Sequence, residues 1–254
     1  MIAYLDYNIV TSLFDEEIEI AKIIDNVDSS IKKFPYSHAH VQEVDNILVI
    51  DDGNKADLIN PRLDKISKIS ADLYLHQELL SNKVYFQLTS PFDVYDTITE
   101  VSFAKPAIKT MANFVSHERK RQFREQVGMD PNRINNIKPE EIVSHLNTKL
   151  TNWGTQETFM EFLEIAIGLH PDGSSFGLHS RFAAIFEFLD ILGYWKDLPT
   201  KQSNVARLWD ANHAFFGGYC NYFISDDKRT KMKARVVYNI YNITTNVVSS
   251  SGSD

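Results

Sequence analysis

Two short apolar runs at opposite ends of the chain constrain its fold most. Ile2-Ala-Tyr-Leu5 ends at once in Asp6, and Tyr222-Phe-Ile224 ends in Ser225-Asp226-Asp227, followed without a linker by a basic, helix-like stretch. Runs this short and rich in Tyr, Phe and Ile suit strands rather than helices. Parallel strands need a long crossover connection, usually helical, and helical spacing dominates what lies between. Strands at both termini alternating with helices predict an α/β fold, with a central, mostly parallel sheet flanked by helices.

Apolar residues at Phe14, Ile18, Ile20, Ile23 and Ile24 give residues 14–27 a mostly helical spacing. Ser30 to Phe34 reads as a second strand, stopped by Pro35. Ser37 reads as the N-cap of a helix from His38 to Ile50 that buries Val41, Val44, Ile47 and Leu48 and is closed by Asp51-Asp-Gly-Asn54. Asp72 to His76 and Lys83 to Leu88 predict a hairpin. Residues 94–170 read as helical, broken near Pro106, Pro131 and Pro139, with Pro139-Glu-Glu-Ile as a helix start. Further helices are expected over Thr155–Leu169, Leu178–Tyr194, Val205–Phe216 and Asp226–Tyr241, with a loop at His170–Ser175 and a last strand at Thr244–Val248. The expectation is a single domain over 1–248, interrupted at about 70–175 by a hairpin and a large, mainly helical insertion. The serine-rich tail 249–254 is expected to be disordered.

The 254 residues can bury a full core, and no run approaches the roughly 20 apolar residues that span a bilayer. The first acid comes at residue 6, which argues against a signal peptide. The single cysteine, Cys220, excludes an internal disulfide framework and a Cys-based zinc site; a reducing, cytoplasmic setting is the expectation. A net charge of −8 argues against a histone-like coat protein but not against a nuclease, which can hold phosphates with local basic patches. Two such patches occur, His117 to Arg124 and Lys228 to Arg235, either of which could equally be a solvated helix face.

Four acids stand at favoured places. Asp6 ends the first strand, Glu43 lies on the helix after Ser37, Asp210 lies on the helix before the late strand, and Asp227 lies just past that strand. Ser37, His40 and Glu43 fall at i, i+3 and i+6, along one side of their helix. Oxygen ligands without paired histidines suit hard cations, Mg²⁺ or Mn²⁺, which can activate a water and stabilise an in-line phosphoryl displacement. Taken singly, each acid reads more readily as a turn residue or helix cap.

Together the residues resemble a family. Tyr4-Leu-Asp6-Tyr-Asn8, Tyr36-Ser-His-Ala-His-Val-Gln-Glu43, Asp210-Ala-Asn-His213 and Tyr222-Phe-Ile-Ser-Asp-Asp227-Lys228 resemble the motif series of a PIN-like nuclease domain over residues 1–50 and 178–248. That resemblance implies a three-layer α/β domain in which Asp6, Glu43, Asp210 and Asp227 are catalytic and hold one or two Mg²⁺ or Mn²⁺ ions. Asn8 and Ser225 match auxiliary polar positions. Asp226 could replace Asp227, although the strand-x-Asp-Lys register favours Asp227. His213 is near the site or simply a satisfied structural residue. Lys228, Arg229 and Lys231 are the nearest candidates to hold a substrate backbone. The implied function is a metal-dependent endoribonuclease with nucleic acid as partner. Small members of the family often act beside a neutralising protein partner, but this chain is larger than most of them and that role is left open. The rivals are a structure-specific DNA nuclease and a non-catalytic module of the same fold working through the helical insertion.

Among the remaining candidates, His38 and His40 point different ways on a helix, His170 and His179 flank a loop, and Cys220 reads as a small core residue. Phe182, Phe186, Phe188 and Tyr194 recur at helical spacing and read as core.

Overall fold

The computed structural model describes residues 1–46, 54–78, 83–100, 116–168, 177–197 and 203–253. The expected closure at residues 51–53, the burial of Ile47 and Leu48, the whole loop at 170–175, and residues 101–115 of the expected helical stretch lie outside these. The chain divides into two compact units: Met1–Lys105 with His213–Asp227 and Thr244–Asp254, and Pro106–Asn212 with Lys228–Ile243.

The first unit is α/β. Its strands are β1 (Ala3–Leu5), β2 (Tyr36–Ser37), β3 (Leu73–Gln77), β4 (Val84–Leu88), β5 (Tyr222–Ile224) and β6 (Asn246–Val248). Its helices are α1 (Tyr7–Phe14), α2 (Ile20–Val27), α3 (His38–Asp45), α4 (Lys55–Ser70) and α5 (Pro91–Glu100). β1, β5 and β6 form a parallel sheet in the order β1-β5-β6, with Leu5 opposite Ile224 and Ile224 opposite Val248. All three residues of β1 are buried, as expected for a parallel strand covered on both faces. The second sheet, β2-β3-β4, pairs β2 parallel to β3 and contains the expected antiparallel hairpin of β3 and β4. Leu5, Ile9, Leu13, Ile23, Val41, Val44, Leu63 and Ile224 belong to one apolar core. The hairpin lies within the α/β unit.

Several local expectations change. Residues 14–27 do not form one helix: α1 ends at Phe14, Glu16 adopts φ +60°, and α2 starts at Ile20. The strand expected at 30–34 reduces to a single parallel bridge between Ile2 and Lys33, because Pro35 has no N–H to continue the ladder. Helix α4 carries Pro61 in its interior, and no element was expected there. The tail folds as a turn: Ser250 donates its N–H and Oγ to Asp226, Asn26 donates to the Ser250 carbonyl, and Gly252 sits at φ +75° where a Cβ would run into the Asn26 carbonyl.

The second unit is helical, with α6 (His117–Gln126), α7 (Pro131–Ile134), α8 (Ile142–Trp153), α9 (Phe159–Gly168), α10 (Leu178–Leu192), the start of α11 (Ser203–Gly217) and α12 (Lys228–Tyr241). It thus runs past residue 175 and takes a second segment near the C-terminus. Ile142, Leu146 and Leu150 of α8 and Phe159, Leu163 and Ile167 of α9 are buried at i, i+4 spacing. Phe182, Phe186 and Tyr194 are buried, as read from the sequence. Pro139-Glu-Glu forms a turn ahead of α8 rather than its first turn.

The unit is also held by buried charge. Arg207 pairs with Glu187, with Asp190 at 3.0 Å and with Asp197 at 2.8 Å. Lys120 reaches Glu187 at 2.7 Å and Asp190 at 2.9 Å, and Lys233 reaches Asp197 at 3.2 Å. This network takes up part of the first basic run. Lys120 and Arg124 turn inward, Arg124 donating to the Ile191 carbonyl at 2.9 Å, and Arg121 is engaged by Glu118 and Glu125. Among the described residues, no helix is long and apolar enough to cross a membrane.

Candidate functional site

The register of β1 against β5 places Asp6 and Ser225 side by side, one residue beyond the paired strand ends. Open α/β sheets bind ligands at this carboxyl edge. Asp6 is 3% exposed, and it caps α1 by accepting the Tyr7 N–H at 2.8 Å on Oδ1. Its Oδ2 accepts from Asn8 Nδ2 at 3.0 Å and from Ser225 Oγ at 2.6 Å. Ser225 Oγ in turn accepts the Asp227 N–H at 3.2 Å. Burial pushes the Asp6 carboxyl above its ordinary value, with the Glu43 charge adding to the rise and His213 and Ser225 opposing it.

Glu43, on α3, stands at the edge of a second group. His213 Nε2 meets Glu43 Oε1 at 3.1 Å, and His213 Nδ1 meets the Tyr4 hydroxyl at 3.0 Å. The same hydroxyl lies 2.6 Å from Ser37 Oγ. His40 Nε2 donates to the Leu5 carbonyl at 2.8 Å, since a carbonyl can only accept, and His40 Nδ1 takes the Ser37 N–H at 3.1 Å. Burial lowers His40 well below the usual imidazole range, and the neighbouring His213 lowers it further. Burial also acts to lower His213, but the Glu43 hydrogen bond and the Glu43 and Asp6 charges outweigh it and raise the imidazole. One ring of the pair is thus held neutral and the other is biased towards the imidazolium.

The remaining site residues have separate places. Asp226 is exposed, and both its oxygens are taken by Ser250 of the tail turn, which leaves Asp227 as the acid beside Ser225. Asp210 is half-buried on the part of α11 that belongs to the helical unit. Lys228, also of that unit, lies over the Trp195 ring at 4.8 Å, Arg229 is half-buried, and Lys231 is buried rather than reaching into solvent. Tyr4 carried no signal as a site residue. The one-sided spacing of Ser37, His40 and Glu43 did, and His40 proves to be the third-position partner of the Ser37 cap.

Among the described residues, no group of three or more His, Cys, Asp or Glu side chains is gathered as a metal ligand set. Mg²⁺ does not demand such a cage: it keeps several waters and takes one or two carboxylates with substrate phosphates. Asp6 offers an oxygen-donor site of this kind. Three of its roughly four acceptor positions are filled by Tyr7, Asn8 and Ser225, and its charge is opposed by that of Glu43. Asp6 and Glu43 are oxygen donors of the kind a hard cation takes.

Fold and site together define an α/β unit with carboxylates at the carboxyl edge of a parallel sheet, joined in one chain to a helical unit. Compared with known proteins, the chain matches no family model, and no curated protein or solved structure matches it.

Proposed function

We propose that the chain is a divalent-metal-dependent phosphodiesterase acting on nucleic acid, RNA first, in the manner of the PIN-like domains its motifs resemble. The observation that carries this reading is the pairing of Asp6 with Ser225 at the ends of neighbouring parallel strands, which supports the resemblance at its two most separated motifs. Mg²⁺ or Mn²⁺ bound by Asp6 and Glu43 would supply an activated water and offset charge on the leaving oxygen. The chain's own part is to orient Asp6 through Tyr7, Asn8 and Ser225, and to hold Glu43 through His213. Asp227 completes the set in this proposal.

A second reading is a non-catalytic interaction module of the same fold. Cleavage of single-stranded RNA with Mn²⁺, against an Asp6→Asn control, separates the two. Single-stranded DNA and flapped duplexes assayed in parallel decide between ribonuclease and structure-specific DNA nuclease. A chain inert towards all three substrates supports the module.

A further inference from the structure

We propose that His213 is a positioning residue that fixes the Glu43 carboxylate relative to Asp6; this rests on the cation reading given above. Two struts join α3 to the end of β1. In the first, His40 Nε2 donates to the carbonyl of Leu5, the residue just before Asp6, at 2.8 Å. In the second, Tyr4, two residues before Asp6, meets His213 Nδ1 at 3.0 Å, and His213 Nε2 meets Glu43 Oε1 at 3.1 Å. His40 and Glu43 are i, i+3 neighbours on α3, so the struts close a ring through β1, His40, Glu43, His213 and Tyr4. Glu43 cannot swing away without breaking a bond inside that ring.

Tyr4, Ser37 and His213 are fully buried and His40 is 1% exposed. Burying polar groups gives little net stability even when they are satisfied, and apolar residues of the same shape would hold the core as well. What the polar set adds is direction. The ring ends on a carboxylate whose own exposure is 22%, at the edge of the buried cluster, where it can meet a ligand. Partners behind metal-binding carboxylates typically set affinity by orienting them.

The test is Mn²⁺ affinity, read from the electron paramagnetic resonance signal of the free ion, in the full chain and its variants. In His213→Gln the amide nitrogen can reach the place of Nε2 and still donate to Glu43. In His213→Asn the amide sits near the place of Nδ1, meets Tyr4 and falls short of Glu43. Both variants lose the ring and its charge, so their difference isolates the donor position. Circular dichroism confirms folding. We expect His213→Asn to weaken Mn²⁺ binding at least about tenfold and His213→Gln to stay within about threefold of the parent. Equal affinities in all three, or equal weakening in both variants, overturn the positioning role. If His213→Asn does not fold, Tyr4→Phe removes only the hydroxyl that anchors the other ring nitrogen. It should weaken binding about threefold or more, and unchanged affinity there overturns the proposal. A parent chain that binds no Mn²⁺ removes the cation reading and this proposal with it, an outcome distinct from the others.

Discussion

Ser225 Oγ donates to Asp6 Oδ2 at 2.6 Å across 219 residues of sequence. The bond joins the carboxyl ends of β1 and β5, and both side chains are buried. A hydrogen bond to a buried carboxylate contributes about 1.5–3 kcal/mol. Ser225→Ala should therefore lower stability by roughly that amount in urea unfolding at neutral pH. A loss below about 0.5 kcal/mol would show that Asn8 and Tyr7 alone satisfy Asp6.

The pH dependence of Asp6 has a definite sign. Burial holds its folded carboxyl above the ordinary 3.8. The folded state then binds this proton more tightly than the unfolded state, so the group's contribution is complete below the ordinary value and is lost as pH rises through the folded one. In metal-free protein, the stability of the parent relative to Asp6→Asn should fall as pH rises from about 4 to about 7. A rise over that range would mean that the Ser225 and His213 contributions outweigh burial.

The adjacent acids at the end of β5 should behave differently. Asp226 is committed to Ser250, whereas Asp227 sits beside Ser225. Asp226→Asn should expose the tail to protease, and both it and removal of residues 249–254 should leave cleavage activity within about twofold. Asp227→Asn should reduce activity by orders of magnitude, since a lost ligand removes both nucleophile and charge stabilisation. The reverse pattern would reassign the site to Asp226.

Much of this arrangement was legible in the sequence because it depends on local signals. β1, β5 and the Ser37 cap follow from short apolar runs and an N-cap residue, and the acids follow from where those runs stop. Partnerships across the chain were not legible. Nothing local in His117 to Arg124 distinguishes a solvated basic face from one whose Lys120 is buried against Glu187 and Asp190, because those acids lie about a further 70 residues on. Tyr4 was hidden for the same reason: inside an apolar run a phenol reads as core, and only the fold brings His213 and Ser37 to its hydroxyl. The tail misled by composition, since five serines and glycines in a row suggest disorder, yet Asp226 and Asn26 bind them.

The buried charges of the helical unit make a separate prediction. Arg207 is 2% exposed among three carboxylates. Arg207→Met leaves those acids facing one another without their central cation and should cost about 3–5 kcal/mol. Burial raises the Asp190 carboxyl, but Arg207, Lys233 and Lys120 outweigh it and hold it below 3.8. Its contribution to stability is therefore present above that value and lost as pH falls through the depressed one. Urea unfolding of the variant should show a smaller loss of stability on acidification than the parent. An equal acid dependence would place the titration elsewhere.

The central claim is that Asp6 and Glu43 hold a divalent cation. Thermal unfolding in millimolar Mn²⁺ tests it most directly, because an ion that binds the folded state stabilises it by about 2.7 kcal/mol at a hundred times its Kd. The parent chain should melt several degrees higher with Mn²⁺ than with chelator, and Asp6→Asn and Glu43→Gln should show little or no such shift. No shift in the parent, or the same shift in all three, would contradict the claim.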